Sequence, residues 1–218
     1  VAGNEQVRTP RLDRLAGEGA RFTSAYMPGG TCGAVCMPSR AMLHTGRSLY
    51  RLEDKGQRIP KDHTTLGEVL REGGYNTFHI GKWHNDTASF NRSFGNGDEI
   101  FFGGMGDPWN VALYHYDPSG EYADELPFIR EPMASNRVEH RRGDHVHPGR
   151  HCTDLFCDRA VEFLRNEAAD EPFFLSVALM APHDPRSAPP EFHGRYDPDK
   201  VKLPENFAVQ CPVDTGAL

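Results

Sequence analysis

Apolar and polar positions along the chain alternate between two rhythms. Behind Thr9-Pro10, an N-cap followed by proline at the first helical position, Leu12, Leu15 and Ala16 recur at helical spacing until Gly17 or Gly19. Thr65-Leu66-Gly67-Glu68 fits a capping box, with Val69 and Leu70 behind it and Gly73-Gly74 as the stop. Thr153 to Asn166 reads as an amphipathic helix carrying Leu155, Phe156, Ala160, Val161 and Leu164, and Pro172 closes it. Strand signals lie at Arg21 to Tyr26, Tyr75 to Ile80 and Phe173 to Met180. The last is a continuous apolar run that predicts a strand buried on both faces. Leu49 to Asp62 is polar and predicts a surface loop, residues from about 85 to 150 lose all periodicity and predict a loop-rich insert, and the chain from Ser187 is Pro-rich.

Two of these strands end in polar clusters. Tyr75 to Ile80 leads into Gly81-Lys82-Trp83-His84, and Phe173 to Met180 leads into Ala181-Pro182-His183-Asp184-Pro185-Arg186. In open α/β sheets ligands bind beyond the carboxyl ends of the strands. Composition adds exclusions. A length of 218 residues, 38 % hydrophobic and 25 % charged, suits one sizeable globular domain with a core. The net charge of −7 argues against general nucleic-acid binding, and no apolar run approaches the ~20 residues a membrane span needs. Five cysteines without a repeating spacing do not make a disulfide framework.

The chemistry concentrates at Thr31 to Arg47. A glycine-containing loop delivers Cys36, Pro38 and Ser39 open a short helix, and Thr45-Gly46 ends it. Cys36 then sits at or just before a helix N-terminus, facing free N–H groups and the positive end of the dipole, with Arg40 about one turn on. That is an anion site with a nucleophile at its centre. A lone cysteine in this position is more often a structural residue.

The ordered string Cys36-Met37-Pro38-Ser39-Arg40, followed by Leu43-His44-Thr45-Gly46-Arg47, resembles the signature of the type I sulfatases. Thr9 to Ala16, Gly73-Gly74-Tyr75 through His84, and Phe173 to His183 resemble further segments of that family. The resemblance implies an α/β, three-layer sandwich around a mostly parallel sheet, similar to alkaline phosphatase and here incomplete. It makes residues 1–218 part of a sulfatase catalytic domain. It implies hydrolysis of sulfate monoesters through a formylglycine made from Cys36 by a maturation enzyme, with a sulfated small molecule or glycan as substrate. Arg40 would hold the aldehyde hydrate, Lys82 contact the sulfate, His84 hydrogen-bond the hydrate, and His183 bind the ester and protonate the leaving oxygen. Asp184 and Arg186 are substrate-contact candidates, balanced against a purely local role in the loop. A phosphonate monoester or phosphodiester hydrolase of the same superfamily, and an inactive anion-binding fragment, are the competing readings.

The family also holds a divalent ion, usually calcium, for which position 36 is the one family ligand in these residues. The others are expected outside them, so the chain reads as an internal piece of a longer protein. Location is not legible, and the resemblance leaves a periplasmic or secreted site open. Asp184, Asp98 and Glu99 are the first acidic residues to suspect of an additional ligand role. His140, His145, His147, His151 and Cys152 crowd one polar stretch. Their spacing matches no zinc module, and a solvated or substrate-facing loop is the favoured reading. Cys152 and Cys157 do not share a helix face, and a Cys32–Cys36 disulfide would remove the nucleophile.

Overall fold

The structure, a computed structural model, describes residues 6–27, 29, 35–52, 56–166, 168 and 171–208. The chain divides into two compact units, Val1–Pro28 with Ala188–Leu218, and Gly29–Ser187. In the first, helix α1 (Pro10–Glu18) starts with proline in its first turn as expected, but Thr9 makes no capping bond to the backbone. Its apolar stripe is exposed, Leu12 at 56 % and Leu15 at 67 %. The i,i+4 pair Arg14–Glu18, at 2.7 Å, lies on the same exposed helix. Arg21 to Tyr26 forms no strand. Phe22 and Tyr26 are more than four-fifths exposed, so among the described residues nothing supplies the burial a strand needs.

The second unit is built on a parallel sheet in the order β2 (Asn96–Phe101), β1 (Asn76–Lys82), β5 (Phe173–Ala178). Strand β1 lies at its centre. Its alternation explains the layers. Phe78 and Ile80 point into a cluster with Phe156 and Phe163 of helix α5 (Cys152–Asn166). His79 points the other way, against His44 of helix α2 (Cys36–Thr45) through Trp83, and directly onto Phe90 of helix α4 (Thr87–Ser93) and Phe94 at its C-cap. Helices therefore cover both faces, giving the expected three-layer α/β sandwich. Each fully buried phenylalanine contributes about 1.5–3 kcal/mol of transfer free energy.

Helix α3 (Leu66–Glu72) carries the full capping box, with Thr65 Oγ1 accepting from Glu68 N and Glu68 Oε2 accepting from Thr65 N. A Cβ at Gly67 would stand 2.2 Å from Ser93 O, so glycine is what lets α3 lie against α4. Helix α5 differs from its predicted face: Phe163 is fully buried, while Val161 and Leu164 are 42 % and 51 % exposed. Strand β5 (Phe173–Ala178) pairs only with β1 among the described residues, so it is an edge strand, half-buried rather than buried on both faces.

The largest departure lies in residues 85–150. This stretch contains α4, β2 (Asn96–Phe101), and an antiparallel hairpin of β3 (Glu125–Ile129) and β4 (Val138–Arg142). Strand β2 belongs to the central sheet, so the stretch is not merely a loop-rich insert. Likewise the polar segment after α2 is anchored by buried Leu49, Gly56 and Ile59 and includes a 3-10 turn, Leu49–Arg51.

Candidate active site

Helix α2 begins at Cys36, two residues before Pro38, so the cysteine occupies the first helical position and is half-buried. Gly46 ends the helix in the left-handed conformation, its N–H bonded to Met42 O. Two long-range contacts fix the first turn. A Cβ on Gly56 would lie 2.6 Å from Pro38 Cα, and Asn85 Nδ2 donates to Met37 O at 3.2 Å and Gly56 O at 2.7 Å.

Arg40, one turn on, donates to Lys82 O at 2.5 Å and so ties α2 to the end of β1. Lys82 is the last residue of β1, buried, with its Nζ on Gly104 O at 2.5 Å. His84 follows at φ +68°, a left-handed conformation that only a firmly held residue keeps. Its Nδ1 is buried without a partner among the described residues, and a Cβ on Gly104 would touch its Nε2. His183 is exposed, its Nδ1 bonded to Asp184 O at 3.0 Å, and its charge reaches His84.

Cys36, Arg40, Lys82, His84 and His183 are thus brought to one end of the sheet. Asp184 and Arg186 instead pair with each other at 2.9 Å, both largely exposed. Asn85, Gly56 and Gly104 give no sign in the sequence: their roles are long-range bonds and close approaches to backbone, which leave no local signal. A cleft of about 630 Å³ opens beside Cys36 and Arg40, walled by His44, Phe174 and Ser176.

The electrostatics have one sign. Burial lowers the Arg40 guanidinium, opposed by the Cys36 thiol. Burial lowers the Lys82 ammonium too, with Cys36 again opposing and Arg40 adding repulsion. His84 is pushed down to about 4 by burial, then by Lys82, Arg40 and His183. Cations gathered with so little counter-charge make a receptor for an anion, and donors fixed in advance stabilise charge that develops in a reaction. No group of three potential metal ligands includes Cys36 among the described residues, so these residues do not supply a calcium cage. Cys36 itself carries a free thiol, while Cys32 lies outside the described residues.

A parallel sheet covered by helices on both faces, with an anion-receiving site at the carboxyl ends of its strands, fits the alkaline phosphatase-like fold. The sulfatase family model matches residues 1–208, and the chain belongs to that family. It is 32 % identical over 197 residues to the Escherichia coli (strain K12) protein described as uncharacterized sulfatase YidJ, covering 87 % of this chain and 36 % of that protein. To the N-acetylglucosamine-6-O-sulfatase of Bacteroides thetaiotaomicron it is 29 % identical over 183 residues, covering 83 % of this chain and 27 % of the relative. A solved structure described as a complex with its substrate D-glucosamine-2-N,6-O-disulfate superposes with a TM-score of 0.57 at 25 % identity, over 84 % of this chain and 31 % of that one. The chain therefore spans about a third of the length of the curated relatives it matches.

Proposed function

We propose that the protein to which these residues belong hydrolyses sulfate monoesters, with residues 1–218 forming part of its catalytic domain and Cys36 converted to formylglycine by a maturation enzyme. The observation that carries this reading is the gathering of half-buried Arg40, buried Lys82 and neutral His84 around Cys36. When present, the aldehyde hydrate supplies the oxygen that attacks sulfur. The chain's own residues do the rest. Lys82 contacts the sulfate oxygens, Arg40 holds the aldehyde hydrate and neutralises charge as the S–O bond breaks, and such preorganised stabilisation is usually the largest single term in the rate enhancement. His84, neutral at physiological pH, orients the attacking group through a hydrogen bond. His183, exposed on its loop, delivers a proton to the leaving alcohol oxygen, which adds about 10²–10⁴-fold.

Asp184 and Arg186 contact the alcohol portion of the ester at the rim. That portion is a sulfated sugar in this reading, supported by the two sugar-directed neighbours described above. The family's divalent ion, calcium, would take position 36 as one ligand and needs others from outside the described residues, so no step is assigned to it. The test is turnover of an aryl sulfate, a sulfated hexosamine, a phosphate diester and a phosphonate monoester by the full-length protein. Preference for the sulfates is expected. Phosphonate or phosphodiester turnover without sulfatase activity would replace the reading with the competing hydrolase.

A further inference from the structure

A second charged cluster lies on the neighbouring strand, outside the site above. The register of β2 against β1 runs Ile80↔Asp98 and then Gly81↔Ile100, so Glu99 is an extra residue, a β-bulge. It is held at φ +51°, which re-aims its side chain, and it is only 6 % exposed. Its carboxylate meets two imidazoles. His145 Nε2 lies 3.1 Å from Oε2 and His147 Nε2 lies 3.0 Å from Oε1. The ligand atoms of Glu99, His145 and His147 all lie within 4.8 Å of one another. The other nitrogen of His145, Nδ1, is bonded to Asp144 Oδ1.

We propose that Glu99, His145 and His147 form a binding site for a divalent ion of the zinc class, with Asp144 as the residue that positions His145. Four donors placed tetrahedrally at zinc–ligand distances stand ~3.3 Å apart, close to the 3.1 and 3.0 Å at which Glu99 meets the two imidazoles. Two imidazole nitrogens and one carboxylate suit zinc and its neighbours, whereas calcium takes about six to eight oxygens. A metal-bound histidine commonly gives its second N–H to a carboxylate, which fixes the tautomer, and Asp144 is already in that place. A metal takes an imidazole nitrogen without its proton, so His145 would keep the Nδ1–H that faces Asp144 and give its Nε2 proton to solvent, while His147 would bind through Nε2 as the Nδ1–H tautomer. His147 is part-exposed, which leaves the fourth position open to water.

The cluster joins three segments. Ile100 and Tyr114 exchange both backbone bonds at 2.9 Å, and Leu113 N donates to His145 O at 3.0 Å. An ion there would pin the bulge of β2 to both. The other residues of the crowded histidine stretch stay out: His140 is on the hairpin, paired in register with Pro127, and His151 is bonded to Ser187 O. The site does not depend on the sulfatase reading.

The test is zinc titration of metal-depleted protein in competition with a chromophoric chelator, with thermal melting in parallel. Binding of a single zinc ion is expected, unaffected by excess calcium and accompanied by a rise in Tm. His147→Ala, at the most exposed ligand, should abolish it and retain the apo Tm. Asp144→Asn should weaken it about 10–100-fold. His140→Ala and Cys36→Ser should leave it unchanged. Cobalt substitution should give the visible bands of a four-coordinate nitrogen and oxygen site. Wild-type zinc affinity in His147→Ala, or no zinc uptake by the wild-type protein, would overturn the proposal.

Discussion

Two clusters on adjacent strands treat charge in opposite ways. At the end of β1, Arg40 and Lys82 gather positive charge around Cys36, with neutral His84 beside them. At the bulge of β2, Asp98, Glu99 and Asp144 gather negative charge around His115, His145 and Arg159. Both rest on a residue with positive φ that is not glycine, His84 in one and Glu99 in the other. Such conformations cost about 1–3 kcal/mol each and persist where the surroundings over-determine them. The clusters differ in how their charges are satisfied. In the second, Asp98 bonds Arg159 and His115 at 2.8 Å each, and the carboxylates hold His145 up to about 8 against the cost of burial. In the first, every cation is depressed from its ordinary value. Unbalanced buried charge marks the place that requires a ligand of opposite sign, while the balanced network can stand by itself.

The sharpest way to break this contrast is to remove one cation. In the full-length protein Lys82→Ala should raise the barrier by about 3–4 kcal/mol, read as a fall in kcat. His183→Ala should also lower kcat, and because His183 is exposed its Tm should not change. Wild-type turnover in both would remove these residues from the chemistry.

Next in size is Gly81→Ala, at the point where the two clusters share a backbone register. A Cβ there would meet Ala178 O at 2.3 Å, with φ at +91°. A loss of about 1–3 kcal/mol is expected in denaturant unfolding. An unchanged midpoint would mean that the bulge relaxes without strain.

A smaller, graded effect concerns pH. Burial holds His79 at about 3 and His44 at about 4, below the usual 6.5. The unfolded chain therefore binds protons first as pH falls, so this stability is complete above about 6.5 and is lost progressively toward about 3. Tm measured across that window should decline with acid, and His79→Leu should flatten the slope. The smallest effect is expected at the rim, where Arg186→Ala breaks an exposed ion pair worth about 0–1 kcal/mol and should leave Tm unchanged.

Much of the framework is legible in the sequence because local rules and packing agree there. The Thr65–Glu68 capping box, the Gly46 stop and the apolar run of β5 each state their element within a few residues. Strand β2 is hidden because Asn96-Gly97-Asp98-Glu99 is polar and the bulge at Glu99 breaks the period of two. Helix α4 is hidden because Phe90 in the helix and Phe94 at its C-cap are the large apolar residues it brings to the core. Arg21 to Tyr26 misleads in the opposite direction, since its aromatic residues suggest a strand that no partner covers.

The catalytic candidates are legible as a motif, but their common electrostatic sign is not, because it depends on burial and on mutual distance. The gathering of Glu99 with His145 and His147 is equally hidden, the partners lying 46 and 48 positions apart. The spacing of the histidines alone points to no metal.

The central claim is that the cationic end of β1 is built around a nucleophile made from Cys36. The mass of the peptide containing residue 36, from protein produced together with a formylglycine-generating enzyme, tests it directly. Loss of about 18 Da, oxygen replacing sulfur with two hydrogens removed, is the predicted result. An unmodified thiol in that protein would contradict it.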